Sequence, residues 1–197
     1  MALAAKSGRV FATLNCDIQI SRSDENSAVC AHFQGVQADP YHQWYEDNGI
    51  EGKYTSSVYL QGSDPSQPQN GAAIHWKVDG EYVQLAVAAR ATGWLGFGIA
   101  EAGGMNGADM ALFEAAKPEE IVDSYTDDTR SPIRDDCPSD WELISSSVDD
   151  DGGFIMIELR RFLDTNNPQD KPLRDDSATV IPATRVIAAW GDSPEVS

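Results

Sequence analysis

Ile74 to Glu114 reads IHWKVDGEYVQLAVAARATGWLGFGIAEAGGMNGADMALFE, and this stretch decides the fold. Its first segment alternates apolar with polar side chains and stops at Asp79-Gly80, a dipeptide typical of a tight hairpin turn. The second segment places Val83, Leu85 and Val87 on one face, which the alternation predicts to be buried. The stretch therefore predicts an antiparallel hairpin with one face against a core.

A third apolar segment, Gly93 to Ile99, contains three glycines, which in a strand mark a bulge or a close backbone approach. A glycine-rich loop then ends at Asp109, and a further strand, Met110 to Phe113, follows it. Downstream, Phe154 to Arg160 alternates again, and Arg185 to Trp190 is the last apolar segment. Many short strands separated by turn signals, without a convincing long helix or internal repeat, predict a β-sandwich or barrel.

Four motifs follow one another along the chain: IHWKV at 74–78, GWLGFG at 93–98, MNGADM at 105–110 and RVIAAWG at 185–191. Together they resemble the DOMON family, a module found beside the catalytic domains of dopamine β-hydroxylase-like monooxygenases and in some extracellular haem-binding cytochromes. The resemblance implies an all-β, immunoglobulin-like antiparallel sandwich over residues 72–197. It also implies an N-terminal extension, residues 1–71, packing on that core. Function must be argued from sites, because one fold carries many functions.

The chain is strongly acidic, with 32 Asp and Glu against 14 Lys and Arg in 197 residues and a formal net charge of −18. Such a surface repels nucleic-acid phosphates and anionic lipid headgroups, so we expect no nucleic-acid partner and expect cations as natural partners. The alternative is that the acidity only keeps the protein soluble. No apolar run approaches the ~20 residues of a membrane helix, which argues against membrane insertion by this segment. The hydrophobic content of 41% is sufficient for a real core.

The opening residues, MALAAK, are shorter than the ~7–15 apolar residues of a secretory signal sequence. The chain is therefore either cytosolic or a mature segment of a longer protein. The family resemblance implies the second, with a secreted, extracellular or lumenal location and other domains of a larger protein as partners. Cys16, Cys30 and Cys137 allow three alternative disulfide pairings or three reduced thiols, and their spacing does not choose among them.

The first candidate site is a cation site at the ends of neighbouring strands. Asp109 opens one strand, Ser124 lies in the next, and Asp140 opens the one after that. Hard cations bind several oxygen ligands from carboxylates and backbone carbonyls. The resemblance implies a metal bound by Asp109, by the carbonyls of Met110 and Ser124, and by Asp140, and this all-oxygen set favours calcium. The alternative is that both carboxylates only accept backbone N–H bonds in loops.

The second candidate is a haem b site. The resemblance places Met105 where haem-binding members of the family have an axial methionine. Their partner histidine comes from the last strand, where this chain reads IAAW at residues 187–190. Haem bound through a thioether alone lacks a strong axial nitrogen, so His42 or His75 would have to supply one. The alternative is that Met105 packs against one end of the sandwich.

The third candidate is an inter-sheet pocket for a sugar or another small ligand, because aromatic faces suit sugar rings. The competing interpretation is that the same rings belong to the core. They are Trp94, Phe97, Phe113 and Trp190. The sequence contains no zinc-protease or phosphate-loop motif and no copper-ligand histidine motif of the monooxygenase catalytic domains. We therefore expect no catalytic activity in this chain alone.

The sequence thus predicts a non-catalytic extracellular module that binds a ligand or another protein and carries a structural cation. Two alternatives stay open. One is a b-type haem domain that transfers electrons and uses Met105. The other is an accessory domain of a larger monooxygenase or oxidoreductase, with the catalytic sequence elsewhere in the full-length protein.

Overall fold

The computed structural model describes the chain in segments between residues 11 and 193. These are residues 11–18, 28–29, 45, 49–50, 52–61, 71–101, 103–127, 131–136, 138–149, 153–173 and 184–193, with the backbone alone at 11–18, 28–29 and 61. The strands are β1 Phe11–Ile18, β2 Ala28–Val29, β3 Ser56–Gln61, β4 Gly71–Asp79, β5 Tyr82–Arg90, β6 Trp94–Ile99, β7 Asp109–Glu114, β8 Val122–Thr126, β9 Pro132–Arg134, β10 Glu142–Asp149, β11 Phe154–Phe162 and β12 Thr184–Gly191.

Two antiparallel sheets face each other. One has seven strands in the order β2-β1-β12-β6-β7-β8-β9, and the other has five in the order β10-β11-β5-β4-β3. β4 and β5 form the predicted hairpin, and Gly80 in its turn has φ of 63°. Alternating side chains give each sheet an apolar inner face, as sheet-on-sheet packing requires. The predicted all-β antiparallel sandwich is confirmed.

The core lies between the two sheets. Val83, Leu85 and Val87 of β5 are 0% exposed, as their alternation predicts. Leu85 stands opposite Leu159 of β11, and Val87 stands opposite Ile157, and both partners are also 0% exposed. β5 and β11 therefore form the centre of the five-stranded sheet.

The outer face of the five-stranded sheet is covered as well, which the alternation in β5 does not predict. Ala73, Ala86 and Ala88 on that face are each 1% exposed. Tyr45 and Ile50, which precede β3, pack on this alanine floor and are 3% and 2% exposed. Because alanines leave the sheet surface flat, these two larger side chains can lie close to it. β5 is thus buried on both faces.

Strands from the N-terminal part of the chain complete both sheets. β1 pairs with β12, from Phe11 opposite Trp190 to Ile18 opposite Thr184, and β3 pairs with β4. The predicted extension, residues 1–71, therefore contributes hydrogen-bonded strands to the sandwich. The division of the chain between residues 71 and 72 stays a prediction.

The glycines of β6 make room for side chains of β7. A Cβ atom at Gly98 would lie 2.8 Å from Cγ of Met110, and one at Gly96 would lie 2.9 Å from Cδ2 of Leu112. The β6–β7 register runs without a bulge. The close approach at this motif is therefore made by side chains packing over the glycines, and a larger residue at either position would displace them.

Some predicted features lie outside the described residues, namely Cys30, Cys137 and His42. Cys16 is in β1, and the cysteine pairing stays open. β9 is a short edge strand that the sequence does not predict, because it lies in a polar, proline-containing connection. Within the described segments, no helix is long and apolar enough to cross a membrane.

A buried glutamate attaches the N-terminal segment to the outer face of the five-stranded sheet. Glu158 of β11 is 6% exposed and accepts hydrogen bonds from the hydroxyls of Tyr54 (2.6 Å) and Ser145 (2.8 Å). It also pairs with the ammonium group of Lys53. Burial acts to raise the pKa of Glu158, but the three hydrogen bonds outweigh burial and lower the pKa. The carboxylate therefore stays charged.

Replacing this acceptor should loosen the N-terminal segment. We expect Glu158→Ala to reduce the free energy of unfolding by about 2–3 kcal/mol, because three donors lose a buried charged partner. Urea unfolding measures that change, and limited proteolysis should cut residues 45–55 faster than in the wild type.

The control is Glu142→Ala, which breaks an exposed pair with Arg160 on the same sheet face. Exposed pairs contribute little, so its effect should be below about 1 kcal/mol. Equal destabilisation by the two substitutions would contradict the role of Glu158.

His75 of β4 lies half-buried on the same outer face. Its ring packs edge-on against Tyr45, with centroids 4.4 Å apart, and its Nε2 is buried without a hydrogen-bond partner. Burial lowers the pKa of His75 from 6.5 to about 4. The unfolded state therefore binds a proton between these pH values and the folded state does not. The contribution of His75 to stability is lost as the pH falls from 6.5 towards 4.

We expect His75→Phe to make the protein less sensitive to acid. The substitution keeps an aromatic ring against Tyr45 and removes the titrating group, so about 1–3 kcal/mol of acid destabilisation should disappear. Urea unfolding of both proteins at pH values across this range measures the difference between their free energies of unfolding. The contributions of the other titrating groups are the same in both proteins and cancel. Parallel pH profiles for wild type and variant would show that His75 is not the responsible group.

Candidate functional site

Three buried carboxylates meet at one end of the sandwich. Asp109, Asp123 and Asp170 are 1%, 6% and 9% exposed, and each offers an oxygen within 4.8 Å of the others. Asp109 opens β7, Asp123 lies in β8, and Asp170 lies in the loop that follows β11. Carboxylates this close repel each other unless a proton or a cation lies between them.

The strand register places the first two carboxylates. Asp109 stands opposite Tyr125, and Asp123 stands opposite Ala111, whose side chain is in the inter-sheet core. Asp109 and Asp123 are therefore diagonal neighbours on the inner face of the seven-stranded sheet. Because Asp109 lies where β7 begins and Asp123 is its diagonal neighbour in β8, the loops at that end can reach them.

A loop after β11, residues 163–173, supplies the third carboxylate, Asp170. The backbone N–H of Leu173 donates to the carbonyl of Leu163 (2.8 Å), which closes the loop at its base. The backbone N–H of Lys171 donates to Oδ2 of Asp109 (2.7 Å). The loop is thus held directly against the start of β7.

A buried arginine accompanies the cluster. Arg161 is 1% exposed, and its Nη1 donates to Oδ2 of Asp109 at 2.7 Å. Its Nη2 donates to the carbonyl of Lys171, and its guanidinium lies 4.9 Å from the ring centroid of Trp141. The indole N–H of Trp141 approaches Oδ1 of Asp109 at 3.5 Å. Asp109 is therefore well supplied with donors.

Two further carboxylates surround the three. The backbone N–H of Asp140 donates to Oδ2 of Asp123 at 2.8 Å. The side-chain amide of Asn167 donates towards Asp135 (3.4 Å), Asp140 (3.2 Å) and Asp170 (3.3 Å). In the described part of the chain, five aspartates and one buried guanidinium thus lie at this end of the sandwich, and their formal charge is net negative.

Burial and the excess negative charge shift the pKa values of two of these carboxyl groups. Burial, followed by the neighbouring charges of Asp109 and Asp135, raises the pKa of Asp123 from 3.8 to about 6. Burial and the nearby carboxylates likewise raise the pKa of Asp170, whose Oδ2 is buried without a hydrogen-bond partner. A raised carboxyl pKa favours the protonated form in the fold, so without a cation these groups reduce stability as the pH rises through about 6.

The predicted cation ligands lie together in space. Met110 and Ser124 stand opposite each other in the β7–β8 register and are 4% and 3% exposed, each one residue away from a cluster aspartate. Asp140 is held to Asp123 by its backbone, and Asp109 belongs to the cluster itself. The four residues therefore share one end of the molecule, and their role as ligands stays a prediction.

The sequence did not single out Asp123, Asp170 or Arg161 as site residues. An aspartate at an inward position of an otherwise buried strand, as at Asp123, is the one local signal available. Asp170 lies in a long polar loop, and Arg161 follows a partly exposed arginine, so neither position differs locally from a solvent-facing one.

Met105 packs on the outer face of the seven-stranded sheet. It contacts the apolar cluster of Ala100, Ala108, Met110 and Ile187, and its carbonyl accepts a hydrogen bond from the Ala108 N–H (3.2 Å). His75 lies on the outer face of the other sheet, so the whole sandwich separates it from Met105. His75 therefore cannot be the second axial ligand of a haem bound at Met105.

The four aromatic residues of the predicted pocket divide between two faces. Phe97, Phe113 and Trp190 belong to the inter-sheet core and are 1%, 0% and 1% exposed. Phe97 also packs edge-on against Trp141, at 5.8 Å between centroids. Trp94 alternates with the core residue Leu95 and therefore faces the opposite side of β6. The structure thus brings Phe97, Phe113 and Trp190 together but not Trp94, and a ligand pocket at these residues stays a prediction.

Comparison with known proteins agrees with the architecture. A model of the DOMON domain family matches residues 69–184. The DBH-like monooxygenase protein 1 of Mus musculus is 26% identical over 114 residues, which make up 58% of this chain and 18% of that protein. The chain thus spans less than a fifth of this curated relative.

Among solved structures, the cytochrome domain of Myriococcum thermophilum cellobiose dehydrogenase is similar with a TM-score of 0.38 and 15% identity, over 54% of each chain. This similarity is too low to support a functional argument. The family model, in contrast, covers more than half of the chain and includes the strands that carry the carboxylate cluster. The chain therefore belongs to the DOMON domain family.

Proposed function

We propose that this DOMON domain is a non-catalytic, extracellular module that binds a ligand or another protein and carries a structural calcium ion. The observation that carries the calcium proposal is the burial of Asp109, Asp123 and Asp170 within 4.8 Å of one another. Oδ2 of Asp170 has no hydrogen-bond partner in this cluster. A buried, unpaired carboxylate oxygen costs free energy, and a cation would remove that cost.

The donor set suits calcium. Calcium takes about 6–8 oxygen ligands at roughly 2.3–2.6 Å, so two ligands on opposite sides of one ion are about 4.8 Å apart. The three carboxylates meet this spacing, and Asp140 together with the carbonyls of Met110 and Ser124 would complete the shell. All these donors are oxygens, which favours a hard cation over zinc or copper.

Such an ion would join parts of the chain that are distant in sequence. Its ligands would come from β7, β8, the segment before β10 and the loop of residues 163–173. Arg161 balances one negative charge, and a divalent ion would balance two more. The ion would therefore act as a structural support for the loops at this end of the sandwich.

Calcium should stabilise the protein against unfolding. At about 100 times its dissociation constant, a site present only in the folded state adds about 2.7 kcal/mol. We expect Asp123→Asn to abolish this gain, because one ligand charge is lost. In chelator, the same substitution should instead stabilise the protein by about 1–2 kcal/mol, because it relieves charge repulsion. Urea unfolding with calcium and with chelator measures both effects.

The matched control is Asp164→Asn, in the same loop but exposed and outside the carboxylate cluster. This variant should respond to calcium as the wild type does. Unfolding curves of the wild-type protein that are identical in calcium and in chelator would overturn the calcium proposal.

Haem binding at Met105 is the second candidate function. Met105 lies against an apolar cluster that also contains Met110, which has a second thioether. These apolar surroundings would suit the haem macrocycle. Since His75 is on the opposite face, an axial nitrogen would have to come from outside the described residues. The domain would then transfer electrons through the bound haem.

The haem alternative predicts a Soret band when haem is added, with a shift on reduction. Because Met105 would be an axial ligand, Met105→Leu should remove the shift and leave the calcium response intact. A spectrum equal to that of free haem would rule this alternative out.

An accessory role within a larger oxidoreductase is compatible with both proposals. The matched mouse relative is named a monooxygenase, and the shared region is 18% of its length. Other domains of a larger protein are therefore the partners that we propose for this module. The acidic surface, with a formal net charge of −18, would favour partner surfaces that are basic.

A further inference from the structure

A cleft opens between the β4–β5 turn and the end of β11, beside the carboxylate cluster but separate from it. Its volume is about 410 Å³, within the range of small-molecule sites. The lining residues are Glu81, Phe162, Leu163, Asp164, Thr165 and Asn166. None of them belongs to the three-carboxylate cluster.

An exposed aromatic ring forms one wall of the cleft. Phe162 is 40% exposed, although large apolar side chains are usually covered. Its ring stacks on Tyr82 with centroids 4.1 Å apart. The guanidinium of Arg160 lies 5.0 Å from the centroid of the Tyr82 ring and is itself held by Glu142. The Phe162 ring is therefore fixed in place from behind while it still lines an open cleft.

The remaining walls are acidic and polar. Glu81 and Asp164 are exposed carboxylates, and none of the six lining residues is basic. The backbone N–H of Asn166 donates to Oδ1 of Asp164 at 2.9 Å, and the N–H of Leu163 donates to the carbonyl of Glu81 at 2.8 Å. Backbone contacts thus hold both carboxylate-bearing segments beside the ring.

We propose that this cleft binds an organic ammonium group. An aromatic face attracts a cation through the negative charge density above its ring, and nearby carboxylates add to the attraction. The same carboxylates repel anions, and a neutral sugar gains nothing from the charge. The cation is either a free amine or the basic side chain of a protein partner, since both present the same chemistry to the cleft.

The inference rests on the proposed ligand-binding function and names the chemical class of its ligand. It does not depend on the calcium ion, although the loop of residues 163–173 contributes to both places. Binding is therefore to be measured in saturating calcium and in chelator. A failure of the calcium site would appear as an unchanged unfolding curve, whereas a failure of the cleft would appear as absent ligand binding under both conditions.

The experiment is an NMR titration of the protein with choline and, separately, with Nα-acetyl-lysine methylamide. We expect shifts of the backbone amide signals of residues 162–166. The neutral isostere of choline, 3,3-dimethyl-1-butanol, should bind at least about threefold more weakly. Phe162→Leu keeps an apolar side chain but removes the π face, and it should weaken choline binding about three- to tenfold.

Two further variants distinguish a loss of binding from a loss of folding. Glu81→Gln changes an exposed residue and should weaken choline binding while it leaves the unfolding curve unchanged. Phe154→Leu, at the other end of β11 where Arg90 covers the ring at 5.0 Å, should leave binding as in the wild type. Binding of choline alone indicates a free amine, and binding of the lysine derivative as well indicates a basic side chain of a partner.

Four results would overturn the proposal. They are equal affinity for choline and its neutral isostere, unchanged affinity in Phe162→Leu, the absence of shifts at residues 162–166, and tighter binding of methyl β-glucoside than of choline.

Discussion

A buried ion pair joins the two sheets of this sandwich. Arg161 belongs to β11 of the five-stranded sheet and Asp109 to β7 of the seven-stranded sheet, and their side chains are 0% and 2% exposed. The pair also organises the loop of residues 163–173, because Lys171 donates its N–H to Asp109 and accepts from Arg161. Removing one partner of such a pair costs about 3–5 kcal/mol, since the other charge stays buried alone.

The surroundings of this pair explain why the same place is a candidate cation site. Arg161 uses its charge on Asp109, while Asp123 and Asp170 remain under the influence of neighbouring negative charges. A hydrophobic pair could hold two sheets together equally well. A surplus of buried carboxylates, in contrast, is relieved either by protonation, which the raised pKa of Asp123 favours, or by a cation shared among them. The structural role of the end of the sandwich and its proposed binding role are therefore linked.

Local patterns in the sequence predicted those features of the fold that depend only on residues close together in the chain. The alternation of Val83, Leu85 and Val87 identifies the core face, and Asp79-Gly80 identifies the hairpin, because strand geometry and turn conformation are local properties. The burial of Ala86 was not predictable in this way, since it depends on Tyr45 and Ile50 from a distant segment.

The residues of the candidate site likewise fall into those that a local pattern could predict and those that it could not. Asp109, Ser124 and Asp140 could be named from their positions on neighbouring strands, and the family resemblance then supplied their roles as ligands. Asp170 was missed, because it comes from a loop 61 positions after Asp109 and looks like any polar loop residue. Long-range contacts of this kind leave no periodic signal in the sequence.

The pairing of β1 with β12 has a consequence for biosynthesis. Phe11 stands opposite Trp190, so nearly the entire chain separates these two strands. During synthesis, β1 emerges from the ribosome before β12 and must wait for this neighbour until the residues between the two strands have been made. Closing such a long loop is entropically costly and slow, and unpaired strand edges are prone to aggregate meanwhile. The seven-stranded sheet is therefore completed only once β12 has been made, and a chaperone that shields strand edges would be of most use before that point.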